Sequence, residues 1–435
     1  MAEEPRPADR GVSGTPETPE RVGVRSILTD RSVLVVMMVV FVIMMGFGVI
    51  APILPLYGRA LGATHAEVGL LLSAFAFARL VTDLFAGPLV DRFGERLSGS
   101  MGILFVALTS VFTGLAPNFW LAVVFRGIGG AGSAVLFAAL YSYLLKVIPK
   151  DRMGRTLGVF YGSFNVGIIA GSPLGGFLAG WLGLRSPLFV YAGLLVVAGV
   201  LYLRFVPDPP SLQGTESHAR PALESGVRPF VRETFRTVGG LLRNRAFVTT
   251  IFLNMAYFWV VAGGYDTLVP LFGQEHLGMT KVAIGLAFSA ALLAELVVLY
   301  PTGVWADRAG RKPVLIPSLL TMAVMIAAVG WAGTPLIYVG LLALLGITTG
   351  VAGVPPSAML ADVVPQGRSG TAVGVFRFCG DLGFVLGPLV AGVTTAAFGF
   401  KAAFAVAAIP AVVALLLVIR TPETLRRTTA RASIP

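Results

Sequence analysis

Seven ionisable side chains stand inside long apolar runs of this chain: Arg79, Asp83, Arg126, Asp266, Glu295, Arg377 and Asp381. A charge in such surroundings is expensive and commonly functional, and an acid there escapes the cost by taking up a proton. Glu295, Asp266 and Asp381 are therefore candidates for carrying a proton, Glu295 first among them. Arg126 is a candidate for tuning a nearby proton or a substrate charge. Asp266 lies near one end of its run, so an ordinary interfacial acid is the other reading. Lys146 and Arg204 stand near run ends and can snorkel to the interface.

Spacing sorts four of these charges further. Arg79 and Asp83 are four residues apart, as are Arg377 and Asp381, so each pair shares a helix face. Arg79 lies 12 residues before Asp91, and Asp381 lies 13 after Arg368. Asp83 and Arg377 sit at 8 and 9 residues on the same counts. At 1.5 Å per residue these are depths of about 18–20 Å and about 12–14 Å. If the two helices touch, opposite signs meet at equal depth twice, as an interhelix ion-pair ladder. The alternative is that each helix neutralises itself through its own pair.

Other chemistry finds no support. There is no G-x-x-x-x-G-K-[ST] loop for ATP and no nucleophile–base constellation, so no enzyme is expected. Cys379 is the only cysteine, and His65, His218 and His276 are scattered without metal-ligand spacing. No cofactor and no metal are expected.

The elements that must hold these residues are spans. Only 13% of the 435 residues are charged, against about a quarter in soluble domains. Twelve apolar runs approach the roughly 20 residues that cross a bilayer. They are placed at 33–57, 67–90, 98–116, 119–147, 154–182, 187–206, 246–272, 281–306, 313–333, 335–363, 370–398 and 400–420, and are called spans 1 to 12 below. In lipid each must be helical, because nothing else satisfies its backbone. The net charge of +11 suggests nucleic acid at first, but the placement of the charges argues against it. With the N-terminus inside, 24 Lys and Arg fall on the inner side and 4 in the outer loops (Arg59, Arg185, Lys281, Lys401), the other 5 lying within spans. That bias puts both termini in the cytoplasm and leaves anionic lipid as a surface partner. Residues 1–32 read as a disordered cytoplasmic tail without the apolar core of a signal peptide, and 421–435 as a second tail. Twenty-eight arginines against 5 lysines suggest a GC-rich bacterial genome, hence a bacterial inner membrane.

Two charged loops reveal a repeat. "GPLVDRFGERLSG" (87–99) carries Asp91, Arg92, Glu95 and Arg96; "TGVWADRAGRKPV" (302–314) carries Asp307, Arg308, Arg311 and Lys312. Asp91 and Asp307 are 216 residues apart, and the offset recurs from Gly69/Gly285 to Gly176/Gly392. Such a match is an internal duplication. Six spans separate the copies, so the halves 33–206 and 246–420 share one orientation, related by an axis along the membrane normal. The linker 207–245 ends in "PFVRETFRTVGGLLRNR", either an amphipathic surface helix using Phe230, Phe235, Val238, Leu241 and Leu242 or a plain basic linker.

With these motifs the sequence resembles the major facilitator superfamily, and within it the twelve-helix drug:proton antiporters. The family's loop signature G-x-L-a-D-r-x-G-r-k appears at 87–96 with Glu95 in place of a basic residue. "RGIGGAGSA" from Arg126 matches the signature of the fourth helix, with Gly129 replacing Gln. "GIIAGSPLGG" (167–176) matches the antiport signature of the fifth, its proline one place late, and "GVIAPILP" (48–55) the end of the first. The resemblance implies an all-α membrane protein of twelve helices in two six-helix halves, a monomer, that moves a small molecule by alternating access. Proton-coupled export of an apolar or amphipathic compound is expected. A proton-coupled importer in the same fold and a non-transporting sensor or enzyme are the alternatives.

The resemblance also assigns roles. Asp91, with Arg92 and Arg96, becomes a latch against the start of span 11 near Gly370, and Asp307 with Arg308 its copy against span 5 near Gly154. The carboxylates would cap those helix N-termini and favour the outward-facing state. The acid many relatives carry in the first helix is missing here. Gly167, Gly171, Pro173, Gly175 and Gly176 form the antiport-like motif, whose immediate effect is close packing. Asn165, Asn254, Tyr257 and Trp259 are candidates for the substrate cavity, with Met37, Met38, Met44, Met45 and Phe258 as apolar lining. Because helices 5 and 8 touch in the family, Asn165 is expected within reach of Glu295.

Overall fold

A computed structural model describes residues 31–148, 153–207, 236–364 and 369–425. Residues 1–30 and 426–435 of the tails, most of the linker with Phe230 and Phe235, and Arg368 of the depth count lie outside the described residues. All the described elements are helical. Ten helical stretches among them are long and apolar enough to cross a membrane.

Span 1 runs as Arg31–Ile50 and, after a break at Pro52, Leu54–Ala60. Spans 2 to 6 are His65–Phe93, Glu95–Leu115, Phe119–Val147, Met153–Trp181 and Ser186–Phe205. Spans 8 and 9 are Lys281–Ala309 and Arg311–Val329. Span 10 is divided into Pro335–Gly353 and Pro355–Val363, as its prolines demand. Spans 11 and 12 follow one another in Ser369–Arg420, broken at Gly399 with φ 79°. Span 7 departs most from expectation. It is α-helical over Arg245–Trp259, π-helical over Val260–Leu268 and α-helical again over Val269–Glu275. Ahead of it, 236–242 is helical, and Leu241 packs with Phe247, Ile251, Leu360 and Ala372. The linker's end is thus tied to the helices that follow, while Leu242 is exposed.

The turns repeat as the sequence does. Among the described residues those with positive φ are all glycines, and they fall into three pairs 216 apart: Gly62/Gly278, Gly94/Gly310 and Gly183/Gly399. Left-handed backbone at these corners admits other residues only at a cost. Thr64 caps span 2 and Thr280, again 216 later, caps span 8, each hydroxyl satisfying a free N–H of the first turn.

Spans 1 to 6 pack mainly among themselves, and so do spans 7 to 12; the extensive contacts between the groups are span 2 with span 11 and span 5 with span 8. These contacts lie toward one end. Ser73 Oγ donates to Val385 O at 2.6 Å, Ser289 Oγ to Ile169 O at 3.0 Å, and Lys281 Nζ to Ala179 O at 3.3 Å. A side chain at Gly69 would strike the backbone of Pro388, and one at Gly392 the backbone of His65. Toward the Asp91 end the same helices part: Leu84, Phe85, Val297 and Tyr300 are 66–82% exposed. The bundle is closed at its His65 end and open at its Asp91 end.

Candidate functional site

Glu295 is buried, at 8% exposure. Tyr257 of span 7 donates its hydroxyl to Oε1 at 3.0 Å. Thr349 of span 10 brings Oγ1 within 3.3 Å of Oε2, and the same oxygen lies 3.0 Å from the carbonyls of Leu345 and Gly346. One hydroxyl proton cannot serve all three acceptors. Thr349 therefore either gives its proton to the carboxylate or accepts one from the protonated acid while bonding its own helix. Both forms of Glu295 find partners without any fixed cation.

The π-helical segment sets the neighbours of this acid. Thr267 Oγ1 donates to Ala262 O, five residues back, at 2.7 Å. Such segments recur at functional sites. Asp266 lies within it at 6% exposure, so its carboxyl is buried in the protein. Its carboxyl makes no hydrogen bond or ion pair among the described residues. The Tyr265 hydroxyl beside it is buried and meets the geometry of no hydrogen bond among the described residues. The sequence missed this because a π insertion leaves no mark in hydrophobic periodicity. Gly263 and Gly264, two small residues in mid-span, were the available signal.

Spans 2 and 11 bring Arg79 and Asp381 together as an ion pair. The guanidinium also lies 5.6 Å from the Phe384 ring. The other two members of the expected ladder are not joined: among the described residues no ion pair links Asp83 to Arg377. Arg377 is exposed and stands over the Tyr141 ring at 5.0 Å. Tyr141 in turn shares a hydrogen bond of 2.7 Å with Tyr161. The rung nearer the closed end is formed, and the rung one turn toward the open end is not.

Arg126 is 5% exposed, lies 4.1 Å over the Phe75 ring beside Tyr191, and leaves its Nε without a hydrogen-bond partner. No acid pairs with it among the described residues. Asn165 does not reach Glu295: its Nδ2 donates to Tyr161 O in its own helix at 3.0 Å. Asn254 Nδ2 donates to Phe376 O at 2.8 Å, which ties span 7 to span 11. Trp259 is half-buried; a side chain at Gly387 would collide with its backbone, and one at Gly383 with the backbone of Met255. Met38 is exposed whereas Met37 and Met44 are buried. Met37 and Met38 join Leu34, Phe41, Val159 and Val166 around an apolar groove of 410 Å³ between spans 1 and 5.

At the open end Asp91 is exposed and makes no hydrogen bond or ion pair among the described residues. Arg92 lies over the adjacent Phe93 ring at 5.4 Å, and Arg96 Nε donates to Leu203 O at 2.7 Å. Asp307 pairs with Arg311 at 2.6 Å, and Arg308 is exposed. The surroundings of Gly154 and Gly370, the expected partners of the latch acids, lie outside the described residues. Glu95, the departure from the loop signature, has a partner: Lys146 of span 4, with Ser142 donating to the same oxygen at 2.7 Å. In the other half Arg311 pairs with Asp362 at 3.1 Å. Both members are displaced by 216 and both charges are inverted. Glu423 closes this corner. Burial pushes its carboxyl up, but the N–H groups of Leu425, Lys312, Arg311 and Thr424 outweigh that and hold it below the usual glutamate value. Glu95→Arg should therefore lower the melting temperature of the purified protein by several degrees, because it sets two cations together. Adding Lys146→Asp should restore most of the loss, since it recreates the pair of the second half. Equal melting of single and double variants would refute the pairing.

The antiport-like glycines pack backbone on backbone. Side chains at Gly167, Gly171 and Gly175 would strike the main chain of Phe41, Met45 and Val49 in span 1, while one at Gly176 would meet Lys281 of span 8. Pro173 lies inside the helix, where it removes one backbone hydrogen bond. Gly171→Val should cost about 3 kcal/mol, the upper end of the usual overpacking range, since backbone cannot yield as a side chain can, and should sharply reduce the folded protein recovered from membranes by size-exclusion of detergent extracts. Normal yield would place the motif's importance elsewhere.

Comparison with known proteins places this geometry. The family profile of the Major Facilitator Superfamily matches residues 36–288 and 274–434. An uncharacterized MFS-type transporter of Methanocaldococcus jannaschii is 24% identical over 376 residues, 86% of this chain and 92% of that protein. Multidrug resistance protein MdtG of Citrobacter koseri is 27% identical over 370 residues, 83% and 87%. A solved POT family transporter in complex with 5-aminolevulinic acid superposes with TM-score 0.72 at 14% identity, covering 90% of this chain and 96% of that one.

Proposed function

The chain belongs to the Major Facilitator Superfamily and is a multi-pass membrane transporter, not an enzyme, and from that we propose that it exports apolar or amphipathic small molecules in exchange for protons by alternating access. The observation that carries the reading is Glu295: a buried carboxyl held by hydroxyls from two neighbouring spans, able to bind and release a proton without a fixed counter-charge. Asp266 is the second proton site. The exporter direction draws on the relatives named for multidrug resistance, and the apolar groove between spans 1 and 5 suits an amphipathic compound.

The twelve-span, two-half plan with both termini cytoplasmic is part of the proposal. The repeat of glycine corners, helix caps and charge pairs at 216 residues supports it, and the positive-inside count supports the orientation in a bacterial inner membrane. On that orientation the open end is cytoplasmic and the structure is the inward-facing state. The latch of Asp91 and Asp307 then belongs to the other state, in which the open end closes. Arg126, buried and without a paired acid among the described residues, tunes the field at the substrate site. The protein acts as a monomer with lipid around it.

A susceptibility panel tests the function. A bacterial strain stripped of its own exporters and expressing this chain should tolerate several lipophilic dyes at raised concentration, and should accumulate less ethidium until a protonophore is added. Unchanged susceptibility across the panel, with the protein present in the membrane, would contradict export of such compounds.

A further inference from the structure

The closed end carries a charged cluster that none of the sequence motifs touched. Glu275, the last residue of span 7, accepts from Arg59 Nε at 2.8 Å on one carboxylate oxygen and meets His65 Nε2 at 2.7 Å on the other. Arg59 ends span 1 and His65 begins span 2, so one acid of the second half holds an arginine and a histidine of the first. Across the bundle Lys281, the first residue of span 8, reaches back to Ala179 O in the last turn of span 5. The repeat relates the two sides: 59 and 275 differ by 216, as do 65 and 281. Each half thus begins its second span with a cation that crosses to the other half. One of these is a lysine, whose charge is fixed. The other is a histidine, the side chain whose charge changes near neutral pH.

We propose that Glu275, clamped by Arg59 and His65, is the lock that seals this end of the transporter, and that protonation of His65 from this face tightens it. A neutral imidazole gives Glu275 an ordinary hydrogen bond; an imidazolium gives a charge-assisted one, roughly twice as strong. The contact exists only while the halves touch, so whatever strengthens it favours closure. The other charged groups nearby are engaged elsewhere. Glu67 accepts from the Thr64 backbone at 2.7 Å, His276 stacks on Phe272 at 4.7 Å, and Lys401 lies 4.4 Å over Trp331. The edge of the Phe400 ring covers His65 at 5.5 Å. The side chains of Arg59, His65 and Glu275 keep 36%, 22% and 28% of their surface, so a proton can arrive from this face. The lock rests on the alternating-access reading, in which acid outside would return the emptied transporter to its inward-facing form.

Spin labels at Trp120→Cys and Leu336→Cys, in a Cys379→Ser background, measure the opening of this end in purified protein in lipid nanodiscs. Both positions are exposed, at 58% and 83%. The short distance should dominate at acid pH, and the long component should grow about two- to fivefold on raising the pH through the histidine range, as expected of a part-exposed ion pair. His65→Lys, which copies the lysine of the other side, should stay short and lose most of that response, the remainder belonging to Glu295 and Asp266. Glu275→Gln should lengthen the distance at every pH. A pH response in His65→Lys as large as in the unmodified protein, or an unchanged distribution in Glu275→Gln, overturns the proposal. The measurement needs no substrate, so either result leaves the exporter reading to its own test.

Discussion

Glu295→Gln is expected to abolish proton-driven transport while leaving substrate binding within about threefold. The glutamine keeps the size of the side chain and can still accept from Tyr257 and face Thr349, so the packing of spans 7, 8 and 10 survives. What it loses is the exchangeable proton. In an exchanger the empty carrier must return with a proton bound, and without a titrating group the pH gradient has nothing to act on. Dye uptake into everted vesicles, driven by an imposed pH gradient, should fall at least about a hundredfold, a loss of about 2.7 kcal/mol of coupling. Downhill exchange of dye for dye should persist, because that step moves no net proton. Asp266→Asn, at the second buried acid, should weaken coupling less. If Glu295→Gln retains gradient-driven uptake, the acid is a packing residue, and the hydroxyls around it are there to satisfy a permanently neutral carboxyl.

The second large effect concerns Arg79 and Asp381. Removing one member leaves the other uncompensated in the middle of the bundle, at a cost of about 3 kcal/mol, or roughly a hundredfold in the conformation that needs the pair. The figure is taken at the low end because the side chains keep 22% and 13% of their surface. Arg79→Asp and Asp381→Arg should each reduce transport to near background at normal membrane abundance. Together they should recover at least about a tenth of it, because the rung is rebuilt with its signs reversed. The same exchange at Asp83 and Arg377 should behave differently. That rung is open in this structure, so its loss should bear on the state in which the Asp91 end is closed. A double exchange at 79 and 381 that is no better than either single change would remove the cross-helix rung from the mechanism.

Much of this arrangement was legible in the chain because the duplication carries geometric information. A shared offset of 216 located the loops at Asp91 and Asp307, and equal depth counts brought Arg79 opposite Asp381. The offset held more than the motifs drew from it. Glu95 reads as a lapse in the loop signature until Lys146, Arg311 and Asp362 are placed beside it. The repeat then shows a pair conserved in position and inverted in charge, since Coulomb attraction is indifferent to which side carries which sign. Arg59 with Glu275, and His65 with Lys281, were equally open to that arithmetic, but they stand outside or at the very edge of the apolar runs, where charges attract less notice. Other features left no trace in composition. The π-helical stretch around Asp266 changes the register of span 7 without altering its hydropathy. The choice of Asn165 to bond Tyr161, and of Asn254 to bond Phe376, depends on rotamers settled by packing. A sequence that alternates between two conformations also cannot say which rung of a ladder is closed at a given moment.

The account depends most on proton exchange through the buried acid of span 8. Proteoliposomes holding a pH-sensitive dye inside, with the purified protein and ethidium supplied to one face, measure it directly. Ethidium entry should be accompanied by proton movement in the opposite direction, and the proton signal should vanish in Glu295→Gln vesicles. Ethidium transport by the unmodified protein with no proton signal, at a rate indifferent to an imposed pH gradient, would contradict it.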